Sequence, residues 1–166
     1  MRYYFLYKIR NELIGLVLRG VYVLLISVED RVKIDVGALG RVNLEAGIYA
    51  YVGSGLGSHS SSIEGRLSRH YSDHKKMHWH IDYILGDPKI KIKEAIFSKS
   101  RNAQECNLVK KICNHEFAFV EIKDFGSSDC SCVSHLILLD LRENTAERHL
   151  WNKFIELGLK PQKWKN

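Results

Sequence analysis

A chain of 166 residues, 45% of them apolar, is the size of one ordinary domain and carries enough apolar side chain for one core, so a single domain over residues 1–166 is expected. Its 25 Lys and Arg against 19 Asp and Glu leave a formal charge of +6, which favours polyanionic partners such as nucleic acid or an anionic surface. The opening segment from Met1 to Arg10 is broken by charges and has no small-residue cleavage site, and no run of about 18 apolar residues occurs anywhere, so neither a secretion signal nor a membrane-spanning helix is expected, and the expectation is a soluble, cytoplasmic protein.

Gly20 to Val28 is rich in β-branched and aromatic residues and short enough for a buried strand. Val32 to Val36 alternates as a second strand, glycines at 37, 40 and 47 supply turns, and Gly47 to Gly53 forms another strand in an antiparallel unit. A Gly/Ser stretch then leads into a helix over Ile63 to Tyr71, where serines can cap the start. Met77 to Leu85 reads as a helix and Glu94 to Phe97 as part of a third core strand. Ala103 to Cys113 repeats apolar residues at helical spacing. Phe117 to Ile122 and Leu136 to Leu141 read as strands, Ala146 to Leu157 as a closing helix. The pattern predicts an α+β fold, a small and mainly antiparallel sheet flanked by helices.

The chemistry-bearing residues form an ordered set: Gly20-Val21-Tyr22 on one strand, Tyr51-Val52-Gly53-Ser54 ending another, and Arg66 through His70 on the helix that follows. If the two strands pair antiparallel, the two-residue alternation lets Tyr22 and Tyr51 project from one face. A phenol there can orient water, although an unperturbed pKa of about 10 makes it a poor unaided base. A spacing of four puts Arg66 and His70 on one helix face, where a guanidinium can grip phosphate and an imidazole can pass a proton.

This set resembles the GIY-YIG endonuclease superfamily, whose GIY and YIG strands pair in a small sheet and are followed by an arginine, a histidine and a metal-binding glutamate. The resemblance implies that Tyr22, Tyr51, Arg66, His70 and Glu105 are catalytic and that Glu105 binds Mg²⁺ or Mn²⁺. It implies cleavage of phosphodiesters in nucleic acid, DNA more than RNA, with Ser54, Arg69, His78 and His80 as further contacts. The separation from Val23 to Ala50 between the triplets is longer than the family pattern and predicts an extra hairpin. Gly47-Ile48-Tyr49 repeats the first triplet, but only Ala50 separates it from Tyr51, so it belongs to the same strand. An asparagine frequent in the family has no clear counterpart; Asp129 is the nearest candidate. His78 to Tyr83, Gly126 to Cys130 and Ser134 to Leu136 resemble a branch found alone or fused to DNA-repair glycosylases of the endonuclease III type.

Two other readings stay open beside a nuclease. One is a non-catalytic nucleic-acid-binding descendant of that fold. The other is a zinc hydrolase of small molecules built on His78, His80 and Asp82, with His135 as a further ligand. The four cysteines, Cys106, Cys113, Cys130 and Cys132, read as reduced thiols. Cys130, Cys132 and His135 could form part of a zinc site, but no fourth ligand is in view, and reduced thiols remain the reading. Gly53 to Gly57 reads as a turn, lacking the full spacing of a dinucleotide or phosphate loop. Lys160, Lys163 and Lys165 with Trp151 and Trp164 read as a solvated tail, with a phosphate-binding surface as the alternative.

Overall fold

Why a strand as apolar as Gly20–Val28 should exist is answered by its place: it is an inner strand covered on both faces. A computed structural model describes residues 17–165, so the reading of Met1 to Arg10 concerns a segment outside the described residues. This first strand, β1, alternates between two cores. Tyr22, Leu24 and Ile26 enter one core, and Val21, Val23 and Leu25 enter the other.

The chain continues through β2 (Val32–Asp35) and β3 (Arg41–Leu44), which pair only with each other, and then enters β4 (Gly47–Gly55). The long separation between the tyrosine motifs is therefore an inserted hairpin. Helix α1 (Ile63–Tyr71) and helix α2 (His80–Ile84) follow, then β5 (Ile90–Lys99), α3 (Glu105–Cys113), β6 (Ala118–Phe119), β7 (Leu136–Leu139), α4 (Glu143–Glu156) and β8 (Gln162–Lys163). The main sheet has six strands in the order β6-β7-β4-β1-β5-β8, with every neighbouring pair antiparallel. Ile63, Leu67, Ile81 and Ile84, together with Val42 and Leu44 of the hairpin, cover the tyrosine face. Leu108, Ile112, Leu150 and Phe154 of α3 and α4 cover the opposite face. The expected α+β class and antiparallel sheet are what the fold shows. Among the described residues no helix is long and apolar enough to cross a membrane.

Several boundaries differ from those expected, for identifiable reasons. Helix α2 starts at His80 rather than Met77, because Asp82 Oδ2 accepts the His78 and Trp79 amides at 3.1 and 3.0 Å and ends the helix from its N-terminal side. Strand β6 shrinks to two residues because only Ala118 and Phe119 find partners on β7. The expected solvated tail instead adds an edge strand, β8, against Ile96 and Phe97. Trp164 donates its amide to the Ala95 carbonyl at 2.8 Å and packs against Phe97, while Lys163 bridges Glu94 and Glu147 at 3.0 and 2.5 Å. The lysine is thus already neutralised by two carboxylates.

Candidate active site

The two motif strands meet in register. Tyr22 lies opposite Gly53 and Tyr51 opposite Leu24, so both phenols leave the same face of the sheet, one alternation apart. The glycines of the motifs are where a Cβ would collide. One on Gly53 would lie 2.4 Å from Tyr22 Cζ, and one on Gly20 would lie 2.0 Å from the Ser98 carbonyl oxygen. Gly53 therefore makes room for the ring across the strand pair. Gly47-Ile48-Tyr49 is continuous with Tyr51 in β4, and the Tyr49 hydroxyl donates to Glu121 at 2.6 Å, away from the motif pair.

Helix α1 lays His70 against this face. Its Ser62 cap accepts the Gly65 amide at 3.1 Å, and Leu67 one turn before His70 is fully buried, which fixes the turn of the helix toward the sheet. The Tyr22 hydroxyl and His70 Nε2 are 2.7 Å apart, with Tyr22 0% and His70 3% exposed. The Tyr51 ring meets the His70 ring edge-on at 6.2 Å. Burial pushes the His70 imidazole down to about 3, so it is neutral at physiological pH. Burial also raises both phenols above their ordinary range; the Arg66 charge works in the opposite direction on each. His70 is therefore a neutral hydrogen-bonding partner of Tyr22. His70 Nδ1 is buried without a partner.

Arg66 and Arg69, one turn apart, flank the indole of Trp79, with guanidinium carbons 4.6 and 4.9 Å from the ring centroid. Arg69 Nη2 donates to Asp82 Oδ2 at 2.8 Å, and Asp82 is 0% exposed. Burial would raise the Asp82 carboxyl, but Arg69 and the Trp79 and His78 amides outweigh it and hold the group below the usual range. No carboxylate is paired with Arg66 among the described residues. A cleft of about 240 Å³ opens beside it, lined by Tyr51, Arg66, His78, Trp79 and His80 and by Gly126, Ser128 and Asp129 from a loop. His80 Nδ1 accepts the Gly126 amide at 3.0 Å, which leaves Nε2 to carry the proton.

Glu105 approaches from the other layer. It is the first residue of α3, where a carboxylate suits the helix dipole. Ser54, which alternation sends to the opposite face from Tyr51, donates to Glu105 Oε1 at 2.9 Å. Glu105 Oε2 is buried with no hydrogen-bond partner. Its charge is among those that raise Tyr51, but Glu105 does not line the cleft. An orphaned carboxylate oxygen fits one cation contact and not a complete cage.

The candidate residues named from the sequence thus divide. Tyr51, Arg66, His78 and His80 share the cleft, with Tyr22 and His70 packed beneath. Ser54 holds Glu105, and Arg69 clamps Asp82. His78, His80 and Asp82 do not converge as metal ligands: the Asp82 oxygen serves Arg69 and two amides, and His80 holds Gly126. His135 lies with three cysteines instead. Sequence patterns did not mark Trp79 and Gly126 as site residues. The arginine pair one turn apart was a signal for an aromatic platform, whereas nothing local to Gly126 announced its bond to His80. A family model described as a domain of unknown function, DUF123, matches residues 21–156. No curated protein and no solved structure matches the chain.

Proposed function

The chain belongs to the DUF123 family, whose description names no activity, and from the chemistry of the site we propose that it is a metal-dependent endonuclease of the GIY-YIG type that hydrolyses phosphodiester bonds in DNA, with a place in DNA repair. The observation that carries this reading is Arg66: a guanidinium held over Trp79 at the wall of an open cleft, free of any acidic partner among the described residues, beside Tyr51 and two histidines. That is the chemistry of an anion site, and a phosphodiester is the anion that a basic chain with these groups fits.

In this reading Arg66 binds the phosphate oxygens and stabilises the charge that grows on them. The Tyr51 hydroxyl, at the cleft wall, orients the attacking water. Tyr22 sits beneath it with its hydroxyl hydrogen-bonded to Nε2 of the neutral His70, which fixes the phenol beside Tyr51. The His80 Nε2–H and Ser128 offer donors to the flanking backbone, and His78 with Trp79 offers aromatic faces. Glu105, steadied by Ser54, would hold Mg²⁺ or Mn²⁺ through its orphaned oxygen, and Asp129 is the carboxylate that lines the cleft itself. Such a cation supplies Lewis-acid neutralisation of charge on the leaving oxygen.

A second reading has its own support: both phenols are raised by burial, and Glu105 stands outside the cleft lining, as suits a DNA-binding descendant without catalysis. Cleavage of labelled single-stranded, duplex, nicked, flapped and branched DNA at low salt, with Mg²⁺, Mn²⁺ or EDTA, separates the two. Metal-dependent cutting that disappears in Glu105→Ala and Arg66→Ala supports the nuclease. Salt-sensitive binding without cutting favours the descendant, and absence of both sinks the nucleic-acid reading.

A further inference from the structure

Cys106, Cys130, Cys132 and His135 come together from two separate parts of the chain, with one ligand atom of each within 4.8 Å of the others. Cys106 stands in the first turn of α3, and the other three lie in the loop that precedes β7. Zn²⁺ with thiolates at about 2.3 Å in tetrahedral array needs ligand atoms about 3.8 Å apart, within the span observed. Cys130 Sγ and His135 Nε2 are already 3.3 Å apart. The His135 carbonyl accepts the Val52 amide at 2.9 Å, which ties this end of the loop to β4. All four cysteines are unbridged, and Cys113 alone stands outside the cluster.

The surrounding chain explains why a cross-link belongs here. Residues 120–135 contain no helix or strand, a long irregular segment for a small fold. Backbone bonds hold it at a few points, among them Asp124 N to Val133 O and His135 N to Phe125 O, both 2.7 Å. Yet this segment carries Gly126, Ser128 and Asp129 into the cleft. We propose that Cys106, Cys130, Cys132 and His135 bind one structural Zn²⁺, which fastens the 120–135 loop to the start of α3 and thereby sets both the cleft wall and Glu105. Three soft sulfur ligands and one imidazole, with no fifth ligand among the described residues, match a closed structural site rather than a catalytic one. The proposal rests on its own geometry and does not require the nuclease reading.

Metal content of the protein purified without added metal tests it directly. About one zinc per chain is expected in the unaltered protein and in Cys113→Ser, with loss in Cys106→Ser and Cys132→Ser. Replacement of zinc by Co²⁺ should give the visible bands of a tetrahedral thiolate site. Where a serine variant does not fold, two measurements stand in: His135→Cys should keep one zinc, and alkylation of the folded wild type should reach Cys113 alone until a chelator exposes the other three. Equal alkylation of all four thiols with zinc supplied, a Cys130–Cys132 disulfide, or an iron–sulfur chromophore would overturn the proposal. None of these readouts involves DNA, so failure of the nuclease reading leaves the outcome interpretable.

Discussion

Arg66 and Arg69 stand one helical turn apart on α1, and their partners separate them. Arg69 neutralises a carboxylate that is 0% exposed, so Arg69→Ala should destabilise the fold by about 3 kcal/mol in denaturant unfolding. Arg66→Ala should leave stability within about 1 kcal/mol and, on the proposed nuclease reading, lower DNA cleavage by roughly 10²–10³, since it removes a cation from the cleft wall. Equal stability losses in the two variants would contradict this division. The buried histidine makes a prediction about pH. His70 has a folded pKa depressed to about 3, so the unfolded chain takes up the proton first as pH falls. Its contribution is therefore complete above about pH 6.5 and declines on acidification toward 3, by about 3 kcal/mol between pH 6.5 and 4. His149, pushed down to about 4, adds in the same direction. Unfolding measured across that window should show the decline, and His70→Gln should flatten it.

At the scale of elements, β1 and β4 bring the two tyrosines to one face only because the register puts Gly53 under the Tyr22 ring. A methyl there meets an aromatic ring with nowhere to move, so Gly53→Ala should cost about 2–3 kcal/mol and disturb the tyrosine–histidine pair. Near-unchanged stability, read by thermal or denaturant unfolding, would mean that the strand pair is looser than described. The edge strand β8 makes a complementary case. Trp164 covers Phe97 and caps the register of β5, so Trp164→Ala should destabilise by about 2–3 kcal/mol, whereas a solvated tail would tolerate it. Strand β1 and helix α1 were legible because their patterns are strong and local: GVYVLLISV is unbroken, and serines precede the helix. Helix α2, β6 and β8 were not, because the limits of α2 depend on which way the Asp82 side chain turns and those of β6 and β8 on partner strands far away in the chain.

At the scale of the whole molecule, the proposed DNA binding would draw on a net charge of +6 and on a cleft arginine with no carboxylate partner among the described residues, so its affinity would be a matter of counterion release. Affinity should fall steeply as salt rises, and Arg66→Ala should reduce the log–log slope by about 1 without altering sequence preference. A slope unchanged by that substitution would place the phosphate elsewhere. The layered arrangement was foreseeable, since a strand apolar on both faces requires cover on both. Likewise two-residue alternation and a four-residue helical step already determined that Tyr22 could align with Tyr51 and Arg66 with His70, because these relations are properties of backbone geometry. Other features were beyond any local pattern. Which arginine is neutralised, how Ser54 holds Glu105, and that Cys106 completes Cys130, Cys132 and His135 depend on side chains far apart in sequence. Residue order records the candidates, but only packing decides which of them meet, because distance along a chain carries no information about distance in space once sheet and helices have closed around a common core.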